Sequence, residues 1–186
     1  MKHQMAMQGA CMKITAQEEY GLRCLMCLTR AGAGESLTIP EIAAHEGLSQ
    51  PHVAKILAAL RNGGLIESVR GRSGGYRLAE SSSEITLGSV LGVLGEPLFQ
   101  EPDYCQKHAG TETAGICVHH GACSLRALWQ TLEEWMRHTL DQITLADLAQ
   151  DEVRITELLK ARLAEAVLEP SHSRLITLGN LKTVTN

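Results

Sequence analysis

Arg70-Gly71-Arg72-Ser73-Gly74-Gly75-Tyr76-Arg77-Leu78 packs three arginines and three glycines into nine residues and ends on a short polar–apolar alternation. It reads as the tip and second arm of a hairpin, with Leu65-Ile66-Glu67-Ser68-Val69 as the first arm. Gly71, Gly74 and Gly75 are expected to supply positive φ angles in the turn. A glycine-bent hairpin carrying guanidinium groups has the shape and charge to place a cation in a DNA groove. Arg72, at the tip, is the minor-groove candidate, because a narrow A-tract groove attracts arginine.

Upstream of the hairpin, helix signals recur. Thr15-Ala16-Gln17-Glu18 is a capping box, and the helix it opens carries Leu22, Leu25, Met26 and Leu28 at core spacing to about Ala31-Gly32. Thr38-Ile39-Pro40-Glu41 repeats the device for a short helix over about 38–46, stopped by Gly47. Ser49 is expected to cap a third helix, with Pro51 in its first turn, running to Asn62. Two short helices around a glycine turn form a helix-turn-helix, and with the following hairpin they form a winged helix. Thr86 is placed to cap a further helix over about 87–94, closed by Gly95-Glu96-Pro97.

The net charge of −4 hides an asymmetry. Gln50 to Leu78 carries Lys55, Arg61, Arg70, Arg72 and Arg77 against Glu67, a local +4. Ser124 to Glu169 carries nine acids against five bases, a local −4. The basic stretch suits phosphate, the acidic one solvent or a partner. In the third helix Ser49, Gln50 and His52 occupy the first turn, where side chains meet bases and phosphates, and Gln50 has the groups to read adenine. Lys55 and Arg61 are expected to touch phosphates.

Residues 98–123 hold three cysteines (Cys105, Cys117, Cys123) and three histidines but little that builds a core. So long a connection is expected to serve a site. Thiolates bind iron–sulfur irons and zinc, and Cys123 lies beside a helix start, where the dipole attracts negative charge. His108, His119 and His120 are competing ligands. Cys24 and Cys27 form a C-x-x-C inside an apolar helical stripe and are expected to pack in the core. Ser124 is expected to cap the longest helix, with Leu125, Leu128, Trp129, Leu132, Trp135, Met136, Leu140 and Ile143 as one stripe. Lacking an intrachain partner of similar length, that stripe reads as a dimer face. Asp147 to Ala166 continues the helical pattern more weakly.

The resulting expectation is a mainly α chain: a winged helix-turn-helix domain with a small two-stranded wing, plus a long dimerisation helix. Residues 1–11 form an N-terminal extension, 12–97 the winged helix, 98–123 the ligand loop, 124–168 the dimerisation and C-terminal helices, and 169–186 a flexible tail. No apolar run reaches the ~20 residues needed to span a bilayer, and no secretion signal is evident, so membrane partners are excluded and a cytoplasmic location is expected. Six cysteines in such a chain read as thiols or ligands rather than disulfides. No phosphate-binding glycine loop or acid–base pair points to an enzyme.

Met12-Lys13-Ile14-Thr15, Tyr20-Gly21-Leu22-Arg23, Ser49-Gln50-Pro51-His52, the Leu65–Leu78 wing and Thr144-Leu145-Ala146-Asp147-Leu148 together resemble the bacterial winged-helix iron–sulfur transcription regulator family that includes IscR and NsrR. The resemblance covers about residues 12–150. It implies a homodimer binding a partly palindromic double-stranded DNA operator, as a repressor, under control of an iron–sulfur cluster (2Fe-2S or 4Fe-4S) that senses redox state, nitric oxide or cluster supply. The cluster would be held by Cys105, Cys117 and Cys123, and the resemblance maps a fourth ligand from the first helix of the other subunit onto Glu19. A first cysteine gap as short as the second is implied. Here eleven residues separate Cys105 from Cys117 and five separate Cys117 from Cys123. A zinc-bound or clusterless regulator is the alternative.

Overall fold

Thr15 closes the first capping box as expected. Its hydroxyl accepts from the Glu18 N–H at 3.2 Å and its own N–H donates to the Glu18 carboxylate at 2.6 Å. The computed structural model describes residues 14–71, 74–95, 104–109, 117, 119 and 123–168, the side chains of 163–168 excepted. Helix α1 (Ala16–Ala31) buries Gly21, Cys24, Leu25, Cys27 and Leu28, while Leu22 and Met26 are half-buried at the edge of that face. The two cysteines are therefore core residues, as the apolar stripe implies.

The second capping box, Thr38 with Glu41, opens α2 (Ile39–Glu46), and Gly47 ends it in the left-handed region at φ 65°. Helix α3 (Gln50–Asn62) buries Val53, Ile56, Leu57 and Leu60. Ser49 holds the N-cap position but its hydroxyl makes no cap hydrogen bond, contrary to expectation. Pro51 sits where a cap would find one of its two usual donors, and it has no N–H to give.

Strands β1 (Ile66–Val69) and β2 (Gly75–Leu78) pair antiparallel, with Ile66 opposite Leu78 and Glu67 opposite Arg77. Leu37 joins the hairpin through reciprocal bonds with Tyr76 of 2.8 and 2.9 Å. The glycines differ from their expected role. Only Gly71 among the three has positive φ, 119°. A Cβ at Gly75 would lie 2.5 Å from the Leu37 carbonyl oxygen, and one at Gly74 2.8 Å from that of Val69. Close backbone approach, not turn geometry, selects glycine at those two positions.

Helix α4 (Leu87–Leu94) is capped by the Thr86 hydroxyl at 3.1 Å from the Ser89 N–H, and a Cβ at Gly21 of α1 would collide with Leu94. A single helical turn, α5 (Tyr104–Lys107), precedes the long α6 (Ser124–Leu140). Here too the cap differs: the N-cap is Cys123, not Ser124, with its sulfur accepting from the Arg126 N–H at 3.4 Å. Ile143 leaves the stripe, lies beyond α6 and is buried. Its carbonyl accepts from the Leu87 N–H at 2.7 Å, and the Leu145 N–H donates to Ile85 at 3.0 Å. The turn after α6 is thus sewn to the start of α4, and α7 (Leu145–Leu148), with its own Thr144–Asp147 capping box, drops Leu145 into the common core.

The expected continuation over Asp147–Ala166 is broken: α7 ends at Leu148 and α8 (Glu152–Leu168) starts afresh, with the Asp151 carboxylate accepting from the Arg154 N–H at 2.9 Å. Among the described residues, those up to Gln150 form one compact unit and those from Asp151 a second. Residues 1–11, the tail 169–186, Arg72, His120 and most of 98–123 lie outside the described residues. Among those described, no helix is long and apolar enough to cross a membrane.

Candidate nucleic-acid interface and thiol positions

One face of α3 is spent on the core, so its other face decides what the helix can meet. Ser49, Gln50, His52, Lys55 and Arg61 are all exposed. Together they offer a positive, hydrogen-bonding surface to phosphate and base edges. The Leu65 N–H donates to Leu60 at 3.0 Å, fixing where the hairpin leaves α3. Arg70, at the end of β1, is exposed. Arg77 is engaged: opposite Glu67 in the ladder, it donates to that carboxylate at 2.6 Å, so its charge is partly cancelled within the wing.

The sequence reading missed how this surface is braced. Tyr20 of α1 meets His52 as an edge-to-face ring pair, centroids 5.3 Å apart at 83°. Arg23 lies over the Tyr20 ring at 5.6 Å and donates to the Glu46 carboxylate at 2.8 Å and to the Glu46 carbonyl at 2.6 Å. The Glu46 hydrogen bond pushes the Arg23 pKa further up. Tyr20 and Arg23 stand three apart on one helix face, but nothing in the sequence ties that face to the start of α3.

The cysteines divide into two kinds. Cys24 is wholly buried, and burial pushes its thiol pKa up to about 12; burial raises Cys27 in the same direction. Cys105 (in α5), Cys117 and Cys123 are half-buried. His108 is turned to Tyr104, its Nδ1 2.8 Å from that carbonyl, and His119 is exposed. Glu19 is exposed in the first turn of α1. Among the described residues no group of three His, Cys, Asp or Glu stands close enough to hold a metal, so one chain does not gather Cys105, Cys117, Cys123 and Glu19.

The profile of the Rrf2 family, described as an iron-dependent transcriptional regulator, matches residues 14–151. The chain belongs to the Rrf2 family. It is 40% identical over 152 residues to the HTH-type transcriptional regulator NsrR of Geobacillus kaustophilus, covering 81% of this chain and 99% of that one. CymR, the global cysteine regulator of B. subtilis, superposes with a TM-score of 0.58 at 28% identity, over 76% of this chain and all of CymR. IscR of T. potens does so with a TM-score of 0.55 at 27% identity, over 74% and 85%. The mainly helical winged-helix fold with its two-stranded sheet is therefore that of Rrf2 regulators, and the protein is a DNA-binding transcriptional regulator rather than an enzyme.

Proposed function

We propose that this Rrf2 regulator is a homodimeric repressor whose operator affinity depends on an iron–sulfur cluster held by Cys105, Cys117 and Cys123, with Glu19 of the partner subunit as the fourth ligand. The observation that carries the reading is the double character of α6. Its first residue is preceded by a thiol that caps it, and its length shows Leu125, Leu128, Trp129, Leu132 and Trp135 to the outside at 36–58% exposure. An apolar stripe that large is a protein-contact surface, and a second copy supplies a matching one. The likeness to NsrR and the family's iron dependence support the ligand.

The donor chemistry suits such a group: three half-buried thiols outside the core, one of them at a helix N-terminus, where the dipole favours negative charge. When bound, a cluster supplies a redox-reactive centre, and a carboxylate ligand would leave one iron more open to exchange than four thiolates would. The chain's own part is mechanical. α6 is tied at its far end to α4 through Ile143 and Leu87, and α4 packs on α1 beneath Leu94. Any bias on how two α6 helices pair therefore shifts the spacing of two α3 helices, which must meet half-sites about one DNA turn apart. Wing and reading helix would divide the DNA work, Ser49, Gln50 and His52 at bases, Lys55, Arg61, Arg70 and Arg77 at phosphates, Arg72 in the minor groove.

A clusterless reading is favoured by the separation of the thiols in one chain. The two are parted by purifying the full chain without air and measuring iron, sulfide and visible absorbance. The proposal expects iron with acid-labile sulfide and a coloured protein that Cys117→Ala bleaches. A colourless, iron-free protein with full operator affinity would leave the clusterless regulator.

A further inference from the structure

The brace behind the reading helix assigns a role to a residue that need not touch DNA. We infer that Tyr20 is a positioning residue for DNA reading: its ring holds the His52 imidazole at the mouth of α3, and Arg23, fixed by Glu46, holds Tyr20. The inference rests on His52 belonging to the reading face, as proposed above, and goes beyond it by naming what sets that side chain.

Three elements converge on the stack. Tyr20 comes from α1 and is half-buried against the core. His52 is the third residue of α3 and is exposed, with buried Val53 next to it. Glu46 closes α2, and its carboxylate and carbonyl both accept from Arg23, so the guanidinium cannot swing off the Tyr20 face without losing two charge-assisted bonds. An exposed histidine without such a neighbour samples several rotamers and must give them up on meeting a base or phosphate. A ring already seated edge-to-face has given up much of that freedom beforehand. The same stack links α1, α2 and α3, so a change in how α1 lies against α3 is passed to His52. That makes the orientation of one imidazole, and not only the spacing of two helices, a variable of operator recognition.

The test uses the full-length protein and a duplex recovered from a random-sequence pool by selection on the wild type. Tyr20→Leu keeps the apolar bulk and removes the ring. It is expected to weaken binding by about two- to tenfold, the range of one edge-to-face ring contact. Tyr20→Phe, which keeps the ring, is expected to hold the wild-type affinity. In a His52→Ala background the Tyr20→Leu change is expected to cost nothing further. Equal losses in both backgrounds, or no loss in either, would overturn the inference. A His52→Ala protein that binds like the wild type would overturn it too, by removing the contact to be positioned, while leaving the other reading residues untouched. Should Tyr20→Leu fail to fold, the wild type still decides: cross-relaxation between the Tyr20 and His52 ring protons supports the stack, and its absence overturns it.

Discussion

Helices α1 and α6 are nearly the same length, sixteen and seventeen residues, and both carry an apolar stripe, yet they dispose of it in opposite ways. α1 turns Cys24, Leu25 and Leu28 inward until they are at most 1% exposed. α6 keeps Thr139 as its only buried residue and presents five large apolar side chains outward. The first helix is finished within its own chain; the second leaves its stripe exposed. The same contrast runs through the sulfur. The thiols on α1 are walled off and hard to ionise, whereas those ahead of α6 remain half-open. The reading head thus buries its apolar face and its thiols, whereas the stretch from Cys105 through α6 leaves both partly open, as the proposed partner and ligand would require.

Three changes would break or sharpen this contrast. The largest effect belongs to the core of α1: Leu25→Ala leaves a cavity beneath a fully enclosed side chain and should cost ~2–5 kcal/mol in denaturant unfolding. A loss near zero would show that α1 is not finished within the chain. Next comes thiol chemistry. A thiol reagent at neutral pH, applied to protein stripped of metal, should label Cys105, Cys117 and Cys123 while sparing Cys24 and Cys27 until the chain is unfolded, as read by peptide mass mapping. Rapid labelling of Cys24 would erase the distinction.

The smallest effect tests the caps that set the reading head. The Thr38 backbone N–H, donating to the Glu41 carboxylate at 2.8 Å, holds the Glu41 pKa below its ordinary 4.5. A depressed carboxylate pKa stabilises the fold while ionised. Its contribution should be complete above 4.5 and vanish as pH falls through the lower, folded value. Glu41→Gln should flatten that part of the melting-temperature profile and leave the rest unchanged, and Thr38→Ala should lower stability by ~1 kcal/mol. An identical acid profile in Glu41→Gln would remove the carboxylate from the cap.

How much of this was legible follows the range of the interactions. Capping boxes at Thr15 and Thr38, the stop at Gly47 and the two wing strands are written within a few residues of one another, and α1 to α4 begin and end where those signals place them. The errors came where a distant backbone decides. Gly75 is glycine because Leu37 passes beside it, and Ile143 leaves the α6 stripe because Leu87 claims its carbonyl. The Tyr20–His52 pair joins residues thirty-two apart and leaves no local pattern. For the candidate ligands, the sequence offered thiols but not their meeting, since Cys105, Cys117 and Cys123 do not converge within one chain.

The claim on which the rest leans is that the outward face of α6 pairs with its own copy. Sedimentation equilibrium of the full-length protein, wild type beside Leu132→Glu, tests it most directly. The account predicts twice the chain mass of 20.2 kDa for the wild type and a folded single chain for the variant, because a carboxylate set into the stripe cannot be desolvated there. A wild type that sediments as one chain, or a variant that still pairs as tightly, would contradict it.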